Sequence, residues 1–273
     1  MTTGPSRLAG TVAQLRADRR AGLIVYLTAG DPDFDTSLLL LHAAAKADMV
    51  EIGIPFSDPV ADGPTLQQAH MRALASGQTL RTTLQLLTAW REDEPQVPAI
   101  LMGYLNPILA YGVEHFMRDA AEAGADALIL VDLPYEHAAS YRAAAKAEGL
   151  TLIQMVAPTT DHERQRQILR QAEGFVYQVM LTGTTGATDI NPELTMQMLR
   201  DLRRHTDLPV AAGFGVHTPE QAQALAQEAD FVVVGSELVR SIQAGSIDGA
   251  LDRCLATVEA FGAAIRAGRT LGR

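Results

Sequence analysis

Cysteine is almost missing from this sequence. The single thiol, Cys254, excludes an internal disulfide framework among 273 residues and fits a reducing compartment. Lysine is nearly as scarce: Lys46 and Lys146 are the only two, both in Ala-Ala-Ala-Lys-Ala contexts inside expected helices. Schiff-base and PLP chemistry need a lysine in the pocket, and neither residue falls at an expected strand end. Histidine occurs seven times but never as HxH or HExxH, which leaves a metal centre without a motif. Positive charge is also short: 22 Lys plus Arg against 32 Asp plus Glu leaves −10, which argues against nucleic acid or an anionic membrane as partner. No run approaches the ~18 uninterrupted apolar residues of a membrane span. The opening ten residues lack the apolar core of a signal peptide, so a cytoplasmic protein is expected.

The chain is 47% hydrophobic and 20% charged, an ordinary globular balance. Short β-rich apolar runs alternate with amphipathic stretches. Strands are expected over 23–28, 49–54, 99–104, 127–132, 151–156, 175–180, 209–213 and 231–235. Helical periodicity fills the gaps, as over 140–148 and 163–171. The longest gap has room for an extra helix near 79–91, and Thr218-Pro219 reads as a cap followed by a first-turn proline. Eight strand–helix units without a linker predict one α/β domain over 1–273, a (β/α)8 TIM barrel with additional helices. Its parts are an N-terminal helix over about 6–20, the barrel over about 22–243 and a C-terminal helix over about 248–267. A doubly wound open sheet is the competing architecture, but five or six strands would suffice for it.

Barrel chemistry gathers at the C-terminal strand ends. The second strand reads MVEIGIP, with Val50, Ile52 and Ile54 on one face and Glu51 on the other. A glutamate aimed into the mouth is desolvated, which raises its pKa and makes it a proton donor near neutrality. The bland alternative is an edge strand with Glu51 in solvent. The following loop, PFSDPVADGPT, is stiff and holds two aspartates. Asp62 is placed to face Glu51 across a pocket, giving two carboxylates with different environments and roles. For Asp62 and Asp58 the alternative is an Asx turn.

The seventh strand ends in AGFG and the eighth in VGS. Gly213, Gly215, Gly235 and Ser236 therefore open backbone amides and a helix start toward an anion. The alternative is a pair of tight turns that merely need glycine. The Thr/Gly-rich stretch over 181–190 suits a lid whose amides reach a phosphate near Gly186. With neither a pocket lysine nor a metal motif, the residues point to carboxylate acid–base catalysis on a phosphorylated substrate.

VEIGIPFSDPVADGPT (50–65), TAGDP (28–32), LMGYLNPI (101–108), VDLP (131–134) and AGFGVHTPEQA (212–222) resemble, in order and spacing, the tryptophan synthase alpha subunit family. The resemblance implies a lyase of tryptophan biosynthesis that cleaves indole-3-glycerol phosphate to indole and glyceraldehyde 3-phosphate. On that resemblance Glu51 transfers the proton and Asp62 holds the indole N–H. Tyr177 is a pocket tyrosine, and Gly186, Gly215, Gly235 and Ser236 bind phosphate. Phe214, Tyr104 and Leu101 line the indole pocket. The resemblance further implies docking on a PLP-containing beta subunit in an α2β2 assembly, with no cofactor in this chain. Asp58, Pro59, Asn106 and Pro107 match the contact segments. The chain departs from the family's usual residues at Val25, Met180, Thr184 and Thr188. A stand-alone or specialised-pathway lyase, a non-catalytic regulatory paralogue and another phosphosugar enzyme on the same barrel are the competing functions.

Overall fold

Nine short parallel strands hydrogen-bond side by side into a barrel wall: β1 (Gly22–Thr28), β2 (Met49–Gly53), β3 (Ala99–Gly103), β4 (Ala127–Leu130), β5 (Thr151–Leu152), β6 (Gln154–Val156), β7 (Val176–Val179), β8 (Val210–Gly213) and β9 (Phe231–Val234). The computed structural model describes residues 6–180, 192–213 and 215–268. The order around the sheet is β5-β4-β3-β2-β1-β9-β8-β7-β6. β5 and β6 are two halves of the strand expected over 151–156. One half bonds to β4, the other to β7, and between them the Ile153 N–H donates to the Leu128 carbonyl. The wall thus has eight positions and closes on itself, as a (β/α)8 barrel does.

Twelve α-helices surround the wall among the described residues. They are α1 (Arg7–Ala17), α2 (Phe34–Ala44), α3 (Pro64–Ala75), α4 (Leu80–Asp93), α5 (Leu105–Tyr111), α6 (Val113–Glu122), α7 (Ala138–Ala147), α8 (His162–Leu169), α9 (Pro192–Arg203), α10 (Pro219–Leu225), α11 (Ser236–Gln243) and α12 (Ala250–Gly268). The extra helix expected near 79–91 is α4, started by a reciprocal Thr79–Thr82 capping box. Thr218 caps α10 in the same way, with Pro219 at its first position. Two helix limits differ from expectation. α1 stops at Ala17, because Arg19 turns the backbone to φ 52° and leads it into β1. α12 starts at Ala250, because Ile247–Gly249 forms its own 3-10 turn. No helix among the described residues is long and apolar enough to cross a membrane.

Alternation along each strand divides the core into two layers. Val25, Leu27, Val50, Ile52, Leu101 and Leu128 pack outward with the helices. Ile24, Tyr26, Met49, Ile100, Met102, Phe175, Tyr177, Phe231 and Val233 fill the interior. The N-terminal floor is closed by α1, whose Leu8 and Leu15 join that interior cluster. An ionic clasp sits there too. Asp126 accepts from Arg7 Nε at 2.9 Å, from Arg91 Nη2 at 2.9 Å and from the Ala99 N–H at 2.9 Å. The opposite, C-terminal end is left for chemistry.

Candidate active site

Glu51 lies in the middle of β2, hydrogen-bonded into the wall between β1 and β3, with Tyr26 and Ile100 as its register neighbours. The strand is therefore no edge, and the solvent-facing alternative does not hold. Val50 and Ile52 point to the helices, so period two turns Glu51 inward, where it is 1% exposed. Its Oε1 is buried without a hydrogen-bond partner among the described residues. Desolvation by burial pushes its pKa from 4.5 up to about 8. At neutral pH this side chain is mostly the neutral acid, a proton donor.

Among the described residues Asp62 is the other buried carboxylate of this end of the barrel. The loop after β2 carries it, just before Gly63 and Pro64 start α3. Tyr104, at the start of α5, donates its hydroxyl to Asp62 Oδ2 at 2.7 Å and accepts the Ala61 N–H at 3.1 Å. Those two bonds stitch the loop to the end of β3. Burial, then the adjacent Asp62 charge, holds the Tyr104 phenol far above its ordinary pKa, so it remains a donor. His70 Nε2 lies 3.5 Å from the same Oδ2. Oδ1 of Asp62 is buried and has no partner among the described residues.

A cavity opens at this end. Tyr26, Glu51, Leu66, Met102, Tyr177, Gly215, Val216, Val233, Gly235 and Ser236 line it. Four of the residues expected at the site besides Glu51 are thus in one cavity with it: Tyr177, Gly215, Gly235 and Ser236. Gly215 takes φ 78°, a left-handed turn that suits a residue without Cβ. Gly235 precedes α11, whose first-turn N–H groups have no side-chain cap among the described residues. Main-chain amides at such a helix start are suited to an anion. Burial, followed by the charges of Glu51 and Asp62, holds the Tyr177 phenol well above its ordinary pKa. Asp62 itself is just behind the lining; burial, followed by its charge, raises the Tyr26 phenol as well.

A family model described as tryptophan synthase alpha chain matches residues 12–266. The chain belongs to the tryptophan synthase alpha chain family. A tryptophan synthase alpha chain of Gluconacetobacter diazotrophicus is 49% identical over 97% of this chain and 100% of its own length. The crystal structure of tryptophan synthase subunit alpha from Legionella pneumophila is 37% identical, with a TM-score of 0.86 over 96% of this chain and 99% of that one. The structure of Mycobacterium tuberculosis tryptophan synthase is 36% identical, with a TM-score of 0.85 over 98% and 100%.

Some expected site residues fall elsewhere. Leu101 belongs to the outer layer against the helices, and its neighbour Met102 lines the cavity instead. Ile100, Leu101 and Met102 are all apolar, so no polar alternation marks which of them faces in. Gly213 does not line the cavity. A Cβ there would sit 2.0 Å from the Tyr177 hydroxyl, so its bareness makes room for that ring. Tyr104 serves the site through Asp62 rather than by lining the cavity. Gly186, Phe214, Thr184 and Thr188 lie outside the described residues, as does the stretch 181–190 read as a lid. Tyr26, Leu66, Val216, Val233 and His70 are site residues that the sequence reading did not pick. Lys46 lies just past α2, not inside a helix, and Lys146 on α7 pairs with Glu173 at 2.8 Å. Among the described residues no cluster of three or more His, Cys, Asp and Glu side chains could hold a metal ion.

Proposed function

We propose that this chain, working as one domain over residues 1–273, cleaves indole-3-glycerol phosphate to indole and glyceraldehyde 3-phosphate as the alpha subunit of tryptophan synthase. The observation that carries the reading is the shared cavity. A carboxyl kept protonated by burial and a bare helix start lie on its walls together. The phosphate takes the amides at Gly215, Gly235 and Ser236, which places the indole ring near Glu51 and Asp62.

Cleavage needs an electron sink at the ring. Glu51 gives its proton to the ring carbon that bears the side chain, converting indole into an indoleninium cation. Asp62 Oδ1 accepts the ring N–H, and its negative charge opposes the positive charge growing on that nitrogen. The interaction is stronger in the transition state than in the ground state, so it accelerates the step. As the carbon–carbon bond breaks, its electrons return to the ring and the side-chain hydroxyl becomes the aldehyde carbonyl. The hydroxyl proton has to leave, and the Glu51 carboxylate just formed is the base beside it. Glu51 ends as it began. A general acid–base group contributes about 10²–10⁴-fold to such a step.

The segments expected to meet a beta subunit carry exposed apolar side chains. Val60, beside Asp58 and Pro59, is 68% exposed, and Leu109, beside Asn106 and Pro107, is 54% exposed. Tyr104 links the two segments. This supports docking of a PLP-containing beta subunit here, with the cofactor held by the partner. The deciding assay measures indole from the pure chain and indole-3-glycerol phosphate, with and without a beta subunit. Indole in either arm supports the lyase, and its rise with the partner supports the docking. No indole in both arms rejects the reading in favour of a non-catalytic paralogue.

A further inference from the structure

His70 sits on α3 with its ring buried, one turn after the cavity residue Leu66. Its Nδ1 accepts the Phe56 N–H at 3.1 Å. The ring's own hydrogen is therefore on Nε2, on the side that faces Asp62 Oδ2 at 3.5 Å and the Tyr26 hydroxyl at 3.4 Å. Tyr26 is in turn 3.2 Å from Thr28 Oγ1. His70 from α3 and Tyr104 from the start of α5 thus meet at one carboxylate oxygen, with Tyr26 of β1 beside the histidine.

We propose that His70 is a positioning residue, which with Tyr104 fixes the Asp62 carboxylate through Oδ2 and leaves Oδ1 as the one acceptor for the substrate ring nitrogen. The inference rests on the reading of Asp62 given above. Its physical basis is the kind of donor used. Among the described residues Asp62 has no arginine or lysine partner. A cationic partner would orient the carboxylate but would also cancel the charge that opposes the growing indoleninium. A phenol and an imidazole N–H orient it and leave that charge in place. The 3.5 Å separation is long for a hydrogen bond, as is usual for catalytic contacts before substrate tightens the site.

Two variants divide the ring's duties. Asparagine reproduces the Nδ1 acceptor and keeps the Phe56 anchor, but its amide stops short of Asp62. Glutamine carries an amide N–H to the position of Nε2 and gives up the anchor. For His70→Asn we expect urea unfolding unchanged, kcat for indole release down about tenfold and KM within about twofold. His70→Gln regains most of that loss. In an Asp62→Asn background, His70→Asn costs nothing further, because its effect passes through that carboxylate. Normal kcat in His70→Asn, a glutamine variant no better than asparagine, or multiplicative losses in the double variant each overturn the assignment. If the wild-type chain releases indole while His70→Asn is unimpaired, this inference alone fails. If the wild type releases none, the parent reading falls and takes the inference with it.

Discussion

Glu51→Gln separates the two consequences of burying a carboxyl without a partner. The folded-state pKa is raised, from 4.5 to about 8, so the folded chain holds a proton that the unfolded chain has already lost. Between those values unfolding releases a proton, and stability falls as pH rises. At about 1.36 kcal/mol per unit the full penalty is about 5 kcal/mol, incurred across the window and level on either side of it. Glutamine keeps the shape and cannot ionise. The variant should therefore match wild type in acid and become progressively more stable than it toward about pH 9. Urea unfolding from about pH 5 to pH 9 reads this directly. Trp90, the single tryptophan and fully buried in the outer core layer, serves as the fluorescence probe. Turnover moves the other way. The variant should release no indole at any pH while still binding substrate. Wild-type kcat/KM should decline about tenfold per pH unit above about pH 8, as the donor form disappears. Parallel stability curves would refute the desolvation argument, and near-normal turnover would refute the role of Glu51 as proton donor.

Tyr104→Phe removes the 2.7 Å charge-assisted bond to Asp62 and the acceptor of the Ala61 N–H, and kcat/KM should fall about ten- to hundredfold in steady-state assays. Gly213→Ala forces a Cβ against the Tyr177 hydroxyl, so KM for indole-3-glycerol phosphate should rise and thermal unfolding should come earlier. Asp126→Ala leaves Arg7 and Arg91 at the barrel floor without their shared anion; denaturation should show a loss of about 3 kcal/mol, with kcat unchanged because the cavity is at the other end.

The barrel was legible because parallel strands buried on both faces read as apolar runs, and their spacing left a helix between each pair. The same property hid detail. It gave no means of telling Leu101 from Met102, and it did not show the break at Ile153. Glu51 stood out because a charge within such a run is costly unless used. His70 escapes notice for the opposite reason: one of seven histidines in the chain and set on a helix, it looks like an ordinary packed ring. The pattern Leu66, Ala69, His70, Ala73 marks one buried face of α3, and the histidine on it was the available clue. The Asp62–Tyr104 pairing spans 42 positions and only folding brings it together.

The proposed phosphate site at Gly215 and Gly235 has no lysine or arginine among the residues that line the cavity. Amide dipoles act over roughly one helical turn and reach little farther. At greater range an incoming dianion meets a molecule carrying a net −10. On the proposed phosphate reading, approach is then opposed at a distance and favoured only on arrival. Dilute buffer should slow encounter, and added salt should hasten it by screening that repulsion, the inverse of an enzyme that steers its substrate with cations.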